Sequence, residues 1–328
     1  MKKILITGAN GFVGSHLIEK ALKMDFETYA AVRKSGDMKY LSNPKIKIRF
    51  IDFNNQESLE KLFSETQFDY IIHNAGSTIA ATEEEYNKSN FENLKVLTDL
   101  ILTENIQLDK FIYISSLAAF GPTEYNRGQA ITNETIPHPV TAYGRSKLLA
   151  EEYLKKANIP FIIIRPTAVY GKRDKGFIPV YKSLQLGIEL YATRKKQKLS
   201  FVYVDDLVNA IFASFNAPTN SSYFVSDGQE YSLNEFYRTV KNELGTKSIS
   251  LRLPETVSRT IAYVNELVCR LFCRFPSFNK DKVNELAADA WICDIGNLKN
   301  DTGFVPKYTL KEGMSITIKA LKDNKYWT

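Results

Sequence analysis

The sequence predicts an α/β protein built on a doubly wound parallel sheet, with a smaller lobe at its C-terminal end. Short β-branched runs alternate with amphipathic helical runs from the N-terminus to about residue 170. The first run, KILITG, leads into Gly8, Gly11 and Gly14, spaced by three, and then into a helical pattern. Beyond Gly171 the strand–helix alternation loosens.

Taken in order, KILITG reads as a buried strand ended by glycine, and SHLIEKALKM as the helix after it. ETYAAVRKS is a second strand and IKIRFIDF a third, followed by the helix SLEKLFSET. FDYIIHNAG is the fourth strand. NFENLKVLTDLILTEN follows as a helix with Phe91, Leu94, Val96, Leu97, Leu100 and Ile101 apolar. LDKFIYISS is the fifth strand, TAYGRSKLLAEEYLKKA a helix, and IPFIIIRPTAVYG the sixth strand. FVYVDDLVNAIFASF reads as a strand entering a helix and SYFVSD as one more strand. Both lie in 201–226 and are expected to return to the main sheet. SLNEFYRTVKNELG is a helix that Ser232 can cap and Gly245 can end. The expected division is a sheet domain over 1–170 and a smaller lobe over 171–328.

The stretch TVSRTIAYVNELVCRLFCRF places Val257, Ile261, Val264, Val268 and Leu271 on a 3.6-residue period. Two readings stand side by side. The helix packs its apolar stripe on the domain, or segment 257–275 is an apolar lid or a peripheral membrane contact.

Composition narrows the function classes. The chain has 328 residues, and its 43 Lys+Arg against 37 Asp+Glu give a net charge of +6, a mild excess without a dominant basic stripe. Nucleic acid is therefore not expected as a partner. Cys269, Cys273 and Cys293 form neither a disulfide framework nor a metal-ligand spacing, so no metal is expected. Thiols without a framework fit a reducing, cytoplasmic setting. No apolar run approaches the roughly 18 residues of a membrane span.

The glycine loop is the first candidate site. Gly8, Asn10, Gly11, Phe12, Val13 and Gly14 lie between a strand and a helix, where backbone N–H groups and the helix dipole can meet a pyrophosphate. The second strand ends in AAVRKS. Arg33, Lys34 and Ser35 stand where an acidic residue would bind both ribose hydroxyls of NAD, and they suit a 2′-phosphate instead. NADP(H) is the favoured cofactor, with NAD(H) as the alternative. Asp52 and Phe53 are placed for the adenine, and Asn74, Ala75 and Gly76 for the adenosine ribose.

In YGRSK, Tyr143 and Lys147 are one helical turn apart, with Ser116 at an upstream strand end. An ammonium beside the phenol would lower the tyrosine pKa and let Tyr143 exchange a proton with a substrate oxygen. Ser116 would hydrogen-bond that oxygen, and Lys147 would also hold ribose hydroxyls.

TGANGFVG, HNAG, ISS, YGRSK, RPTAVYG and FVYVDD occur in this order over nearly the whole chain. The set resembles the extended short-chain dehydrogenase/reductase superfamily, the NAD-dependent epimerase/dehydratase family. The resemblance implies a Rossmann-type domain with a C-terminal substrate-binding lobe, and a triad of Ser116, Tyr143 and Lys147. It implies that Asn90 is a structural, water-organising asparagine and that Pro166, Thr167 and Val169 flank the nicotinamide. It favours Ser116 over Ser115 and a structural role for His73 and His138. It also implies a homodimer.

Departures from the family pattern sort the reactions. Dehydratases carry Asp-Glu after the catalytic hydroxyl residue, where this chain has Leu117 and Ala118. Nucleotide-sugar epimerases usually read GDGxQxRDF before VYVDD. Here ATRKKQKLSF puts Leu199 at the arginine and Ser200 at the aspartate. These departures resemble the branch with dihydroflavonol reductase-like and 3β-hydroxysteroid dehydrogenase-like proteins. The expected activity is oxidoreduction between a secondary alcohol and a ketone on a hydrophobic small molecule. Two alternatives are a nucleotide-sugar 4-epimerase with tightly bound NAD and a non-catalytic NADP(H)-binding sensor or assembly protein. The basic run at Arg194, Lys195, Lys196 and Lys198 is expected to be a solvated turn.

Overall fold

The computed structural model describes residues 1–124, 129–271 and 278–323, with Arg270 and Leu271 described by their backbone alone. Its centre is a seven-stranded, fully parallel sheet. The first six strands are β1 (Lys3–Thr7), β2 (Glu27–Val32), β3 (Lys47–Phe50), β4 (Tyr70–His73), β5 (Lys110–Ile114) and β6 (Phe161–Pro166). Four more short strands precede the seventh in the chain: β7 (Ala168–Tyr170), β8 (Ile188–Tyr191), β9 (Lys198–Leu199) and β10 (Phe201–Tyr203). The seventh strand of the sheet is β11 (Ser221–Val225), beside β6. The order β11-β6-β5-β4-β1-β2-β3 reverses at β1, and such a switch point opens a crevice at the carboxyl ends of the strands.

Alternate residues of each strand feed opposite faces, so the buried runs supply two cores. Ile4, Ile6, Ile72, Ile112 and Ile162 face α1 (Phe12–Lys23). Leu5, Ile71, Phe111 and Ile163 face the other side. They pack there against α2 (Gln56–Glu65), α4 (Asn93–Thr103) and α5 (Ala142–Lys156). A short α3 (Glu83–Asn87) runs through a π-helical turn at Lys88–Glu92 into α4.

The two stretches within 201–226 part company. SYFV joins the main sheet as β11, whereas β10 pairs with β7 in a separate parallel pair. The chain leaves the sheet after Pro166, and β10 follows β7 out over the carboxyl edge. The helix after β10, α7 (Val204–Ala213), returns to pack on the core beside α1.

The lobe adds α6 (Ile178–Gln185), β12 (Tyr231–Ser232), α8 (Leu233–Leu244), β13 (Ile249–Arg252) and α9 (Glu255–Leu271). It continues with α10 (Lys280–Ala287), β14 (Ala290–Trp291), α11 (Gly296–Thr302) and α12 (Leu310–Asp323). Its core is aromatic: Phe201 stacks on Phe236 at 5.0 Å, with Tyr170, Tyr181, Tyr203 and Met314 around them. Ser232 and Glu235 form a reciprocal capping box on α8, and Gly245 ends it at φ 74°.

α9 does not bury its apolar stripe. Ser258 and Ala262 are buried against the lobe. Val257, Ile261, Val264 and Val268 are 41%, 46%, 51% and 45% exposed. Packing on the domain is thus overturned for this stripe, because the polar, small-residue face makes the contact with α10. Leu271's side chain and residues 272–275 of the segment lie outside the described residues, as does Cys273. Cys269 and Cys293 are free thiols. Among the described residues no helix is long and apolar enough to cross a membrane, and no cluster of metal-ligating side chains occurs.

Candidate active site

The glycine loop is shaped by contacts that exclude side chains. Gly8 has φ 63°, a conformation L-residues rarely adopt, and a Cβ there would stand 2.9 Å from Ala75 Cα. A Cβ on Gly14 would stand 2.1 Å from the Gly8 carbonyl oxygen, so glycine lets the helix seat against the loop. Gly11 is the N-cap of α1, and no side chain caps it. The first turn carries no acidic residue, leaving the helix N-terminus open to an anion. Asn74 Nδ2 donates to Gly8 O at 3.3 Å, tying the HNAG loop to this cradle. A pyrophosphate fits it: bare backbone, a helix N-terminus and no opposing charge.

At the end of β2, Arg33, Lys34 and Ser35 are all exposed. Gly36 closes their turn by donating its N–H to Arg33 O at 2.9 Å. A Cβ on Gly36 would meet Asn10 Nδ2 at 2.6 Å, which sets Asn10 beside the basic turn. Phe12 and Val13 begin α1. Asp52 is exposed at the end of β3. Its carboxylate accepts from the N–H and side chain of Asn54 at 2.9 and 3.0 Å, which holds its pKa down. Phe53 lies edge-on to His73 at 5.8 Å. His73 is fully buried and faces Thr7 Oγ1 at 3.1 Å, and burial pushes its pKa down to about 3. Neutral and enclosed, it is a core histidine. His138 sits in an exposed turn with Nδ1 3.4 Å from Ile136 O.

The catalytic candidates converge on α5. Thr141 caps it by accepting from Gly144 N at 3.0 Å, which fixes the turn that carries Tyr143. Lys147 is buried, and its Nζ donates to Ile114 O at 2.8 Å, anchored at the end of β5. Its Nζ lies 5.0 Å from the Tyr113 ring centre and 6.0 Å from that of Tyr143. Ser116 follows β5, its Oγ accepting from Ala118 N at 3.1 Å, and its hydroxyl also acts on the Tyr143 phenol as a hydrogen-bonding neighbour. Ser115 is committed elsewhere. Its buried hydroxyl donates to Glu151 Oε1 at 2.5 Å, inside the buried Glu151–Arg165 ion pair.

Asn90 occupies the π-helical turn, fully buried. It accepts from Ser77 N at 2.9 Å and donates to Ser77 O and Ser146 Oγ at 3.0 Å each. Ser146 in turn donates to Tyr143 O at 2.8 Å. A Cβ on Gly76 would lie 2.5 Å from Asn90 Oδ1 and 3.4 Å from Lys147 Nζ, so the HNAG glycine opens room between them. Across the sheet edge, Thr167 donates its N–H to Val225 O at 3.0 Å. That bond fixes the bend between Pro166 of β6 and Val169 of β7.

The electrostatics correct one expectation. Burial pushes the Tyr143 pKa up to about 12, with the Ser116 hydrogen bond pulling it down. Burial also brings Lys147 down to about 8. Lysine does not depress the phenol in the protein alone. Desolvation dominates both groups, and the ammonium is committed to the Ile114 carbonyl.

Sequence reasoning missed one part of the site. Asp281 of α10 accepts from Ala142 N at 2.6 Å, and Asn284 Nδ2 donates to Val140 O at 3.2 Å. The lobe thereby holds the N-terminus of the tyrosine helix, and the Glu285 charge helps raise the Tyr143 pKa. KDKVNELA carries no motif, so only the tertiary contact reveals these residues.

A parallel sheet with a switch point, a bare glycine cradle at its edge and Ser, Tyr and Lys gathered beside it define a nicotinamide-dependent enzyme acting at CH–OH groups. The chain belongs to the NAD dependent epimerase/dehydratase family, which it matches over residues 4–225. It is 28% identical over 258 residues to a putative UDP-glucose 4-epimerase of Methanocaldococcus jannaschii, covering 74% of this chain and 82% of that protein. It is 24% identical to the decarboxylating sterol-4-alpha-carboxylate 3-dehydrogenase of Candida albicans, covering 99% of each. The fold superposes on the UDP-glucose 4-epimerase of Thermotoga maritima with UDP-glucose at a TM-score of 0.80, with 22% identity, 98% of this chain and 99% of that one covered.

Proposed function

We propose that the protein is an NADP(H)-dependent oxidoreductase that interconverts a secondary alcohol and a ketone on a largely hydrophobic substrate. The observation that carries this reading is the fate of the basic run. Lys195 pairs with Asp289 at 3.2 Å and Lys198 with Glu230 at 2.9 Å, while Arg194 and Lys196 are exposed. Leu199, where a nucleotide-sugar epimerase has its arginine, packs against the aromatic core of the lobe. A leucine cannot donate to a diphosphate oxygen, and it adds to an apolar interior. The sterol dehydrogenase of Candida albicans, a relative of matching length, is named for a carboxylate carried on a sterol skeleton.

NADP(H) would lie across the glycine cradle, with Arg33, Lys34 and Ser35 at the 2′-phosphate and Asp52, Phe53, Asn74, Ala75 and Gly76 along the adenosine. Pro166, Thr167 and Val169 would flank the nicotinamide. Bound there, the cofactor supplies or accepts the hydride. Tyr143 gives the substrate oxygen its proton during reduction and takes it back during oxidation. Its raised pKa keeps the phenol protonated at neutral pH, as the reductive direction requires. Ser116 orients the same oxygen. Lys147, charged below about pH 8, stabilises the phenolate as it forms and holds the ribose.

A second reading is a nucleotide-sugar 4-epimerase with tightly bound NAD. The Methanocaldococcus relative and the Thermotoga fold match favour it. Screening NADPH and NADH consumption against steroid, flavonoid and isoprenoid ketones tests the proposal. Turnover of an apolar ketone with NADPH is expected. No turnover across the panel, or equal use of NADH, removes the substrate class or the role of Arg33 respectively.

A further inference from the structure

We infer that the outward face of the lobe, formed by α9 and the β8–β13 strand pair, docks on an anionic lipid membrane surface. This inference is independent of which substrate the site takes.

α9 is amphipathic in the wrong sense for a helix that ends at water. Its buried side is Ser258 and Ala262, with Asn265 and Cys269 half-buried. Its outward side is Val257, Ile261, Val264 and Val268, joined by Leu267 at 44% and Tyr263 at 62% exposed. A helix on a soluble surface turns its apolar stripe inward.

The strand pair repeats the pattern. β8 and β13 pair in register with Ile188 opposite Ile249 and Leu190 opposite Leu251. These four face out, Ile249 at 82% and Leu251 at 50% exposed, while Glu189 and Tyr191 point inward. Leu186, just before them, is 79% exposed. The two parts adjoin. Leu253 N donates to Tyr191 O at 3.0 Å, and Ser258 Oγ donates to Ala192 O at 2.9 Å, fastening the start of α9 to the end of β8. Single exposed apolar residues are ordinary, but a contiguous set on neighbouring elements marks an interaction surface.

Charge identifies the occupant. Arg252, at the end of β13, is exposed with its guanidinium 4.0 Å from the Tyr191 ring centre, whereas Arg259 of α9 is paired with Glu255 and Lys282 of α10 with Glu285. Lys182 and Lys247 are exposed near the strand pair. An apolar face edged by Lys182, Lys247 and Arg252 matches a surface lying in the plane of an anionic lipid interface. A second copy of this chain would fit less well, because a two-fold contact would set the same positive edge against itself.

Co-sedimentation of the full chain with vesicles tests the inference. One set is phosphatidylcholine alone and the other an equimolar mixture with phosphatidylglycerol. The protein is expected to sediment with the mixed vesicles, less with the neutral ones and less again at high salt. The I261E/V264E variant should lose roughly tenfold in vesicle affinity, as should Leu190→Glu on the other element. Both should keep the wild-type melting temperature and NADPH binding, since none of the three residues touches the site. Absence of wild-type sedimentation, or sedimentation that both variants retain, overturns the inference. So does a dimer by light scattering that these variants dissociate, which would make a second copy the occupant.

Discussion

Gly144 lies against Ala118 so closely that a methyl group on it would stand 2.2 Å from the Ala118 carbonyl oxygen. One contact therefore sets the distance between the turn carrying Ser116 and the helix carrying Tyr143. A Gly144→Ala variant must push the Leu117–Ala119 turn away, and overpacking of this kind costs about 1–3 kcal/mol. Thermal denaturation should show a lowered midpoint. Steady-state turnover should fall by about tenfold or more, because positioning of the proton donor is disturbed. An unchanged midpoint and rate would mean that the contact positions nothing.

The two adjacent serines should separate cleanly. Ser116→Ala removes the hydroxyl beside Tyr143, and kcat should drop by about 10²-fold with stability nearly unchanged. Ser115→Ala removes the donor to Glu151 in the buried ion pair, and should cost about 1–3 kcal/mol of stability with turnover largely kept. Denaturant melts and kinetics on both variants decide it. The reverse pattern would exchange the roles of the two residues.

The pH profile has a definite sign. Tyr143, up at about 12, stays protonated through the neutral range, so the proton for reduction is available. Lys147, down at about 8, loses its charge as pH rises through that value. The kcat/KM of ketone reduction should be level at lower pH and fall above about pH 8, since this ratio reports groups of the free enzyme. A level profile to about pH 10 would contradict the role of the ammonium.

Arg33 is exposed at the end of β2 with no acidic residue in its place. Arg33→Ala should raise KM for NADPH by roughly 10- to 100-fold, the worth of a charge-assisted contact, and leave KM for NADH alone. Equal effects on both cofactors would show that the side chain does not read the 2′-phosphate.

Legibility in the sequence followed the range of the interactions. The strand–helix alternation and the glycine loop are local patterns, and Gly8 and Gly14 are glycine because the backbone beside them leaves no room. The α8 caps at Ser232 and Gly245 were legible for the same reason. The pairing of β10 with β7 outside the main sheet was not legible, because a short apolar strand reads alike in either place. The period of α9 was visible in Val257, Ile261, Val264 and Val268, but not which face the lobe would bury. That depends on Ser258 reaching Ala192 O, 66 positions earlier. The tyrosine pKa went the other way for a related reason. Spacing puts Lys147 beside Tyr143, but only the fold reveals that burial outweighs it.

The most direct test is to pass the purified protein through gel filtration and offer it UDP-glucose without cofactor, and an apolar ketone with NADPH. The account predicts a protein free of NAD, no interconversion of the sugar nucleotide, and NADPH oxidised in step with the alcohol formed. Retained NAD with UDP-sugar epimerisation in the absence of added cofactor would contradict it.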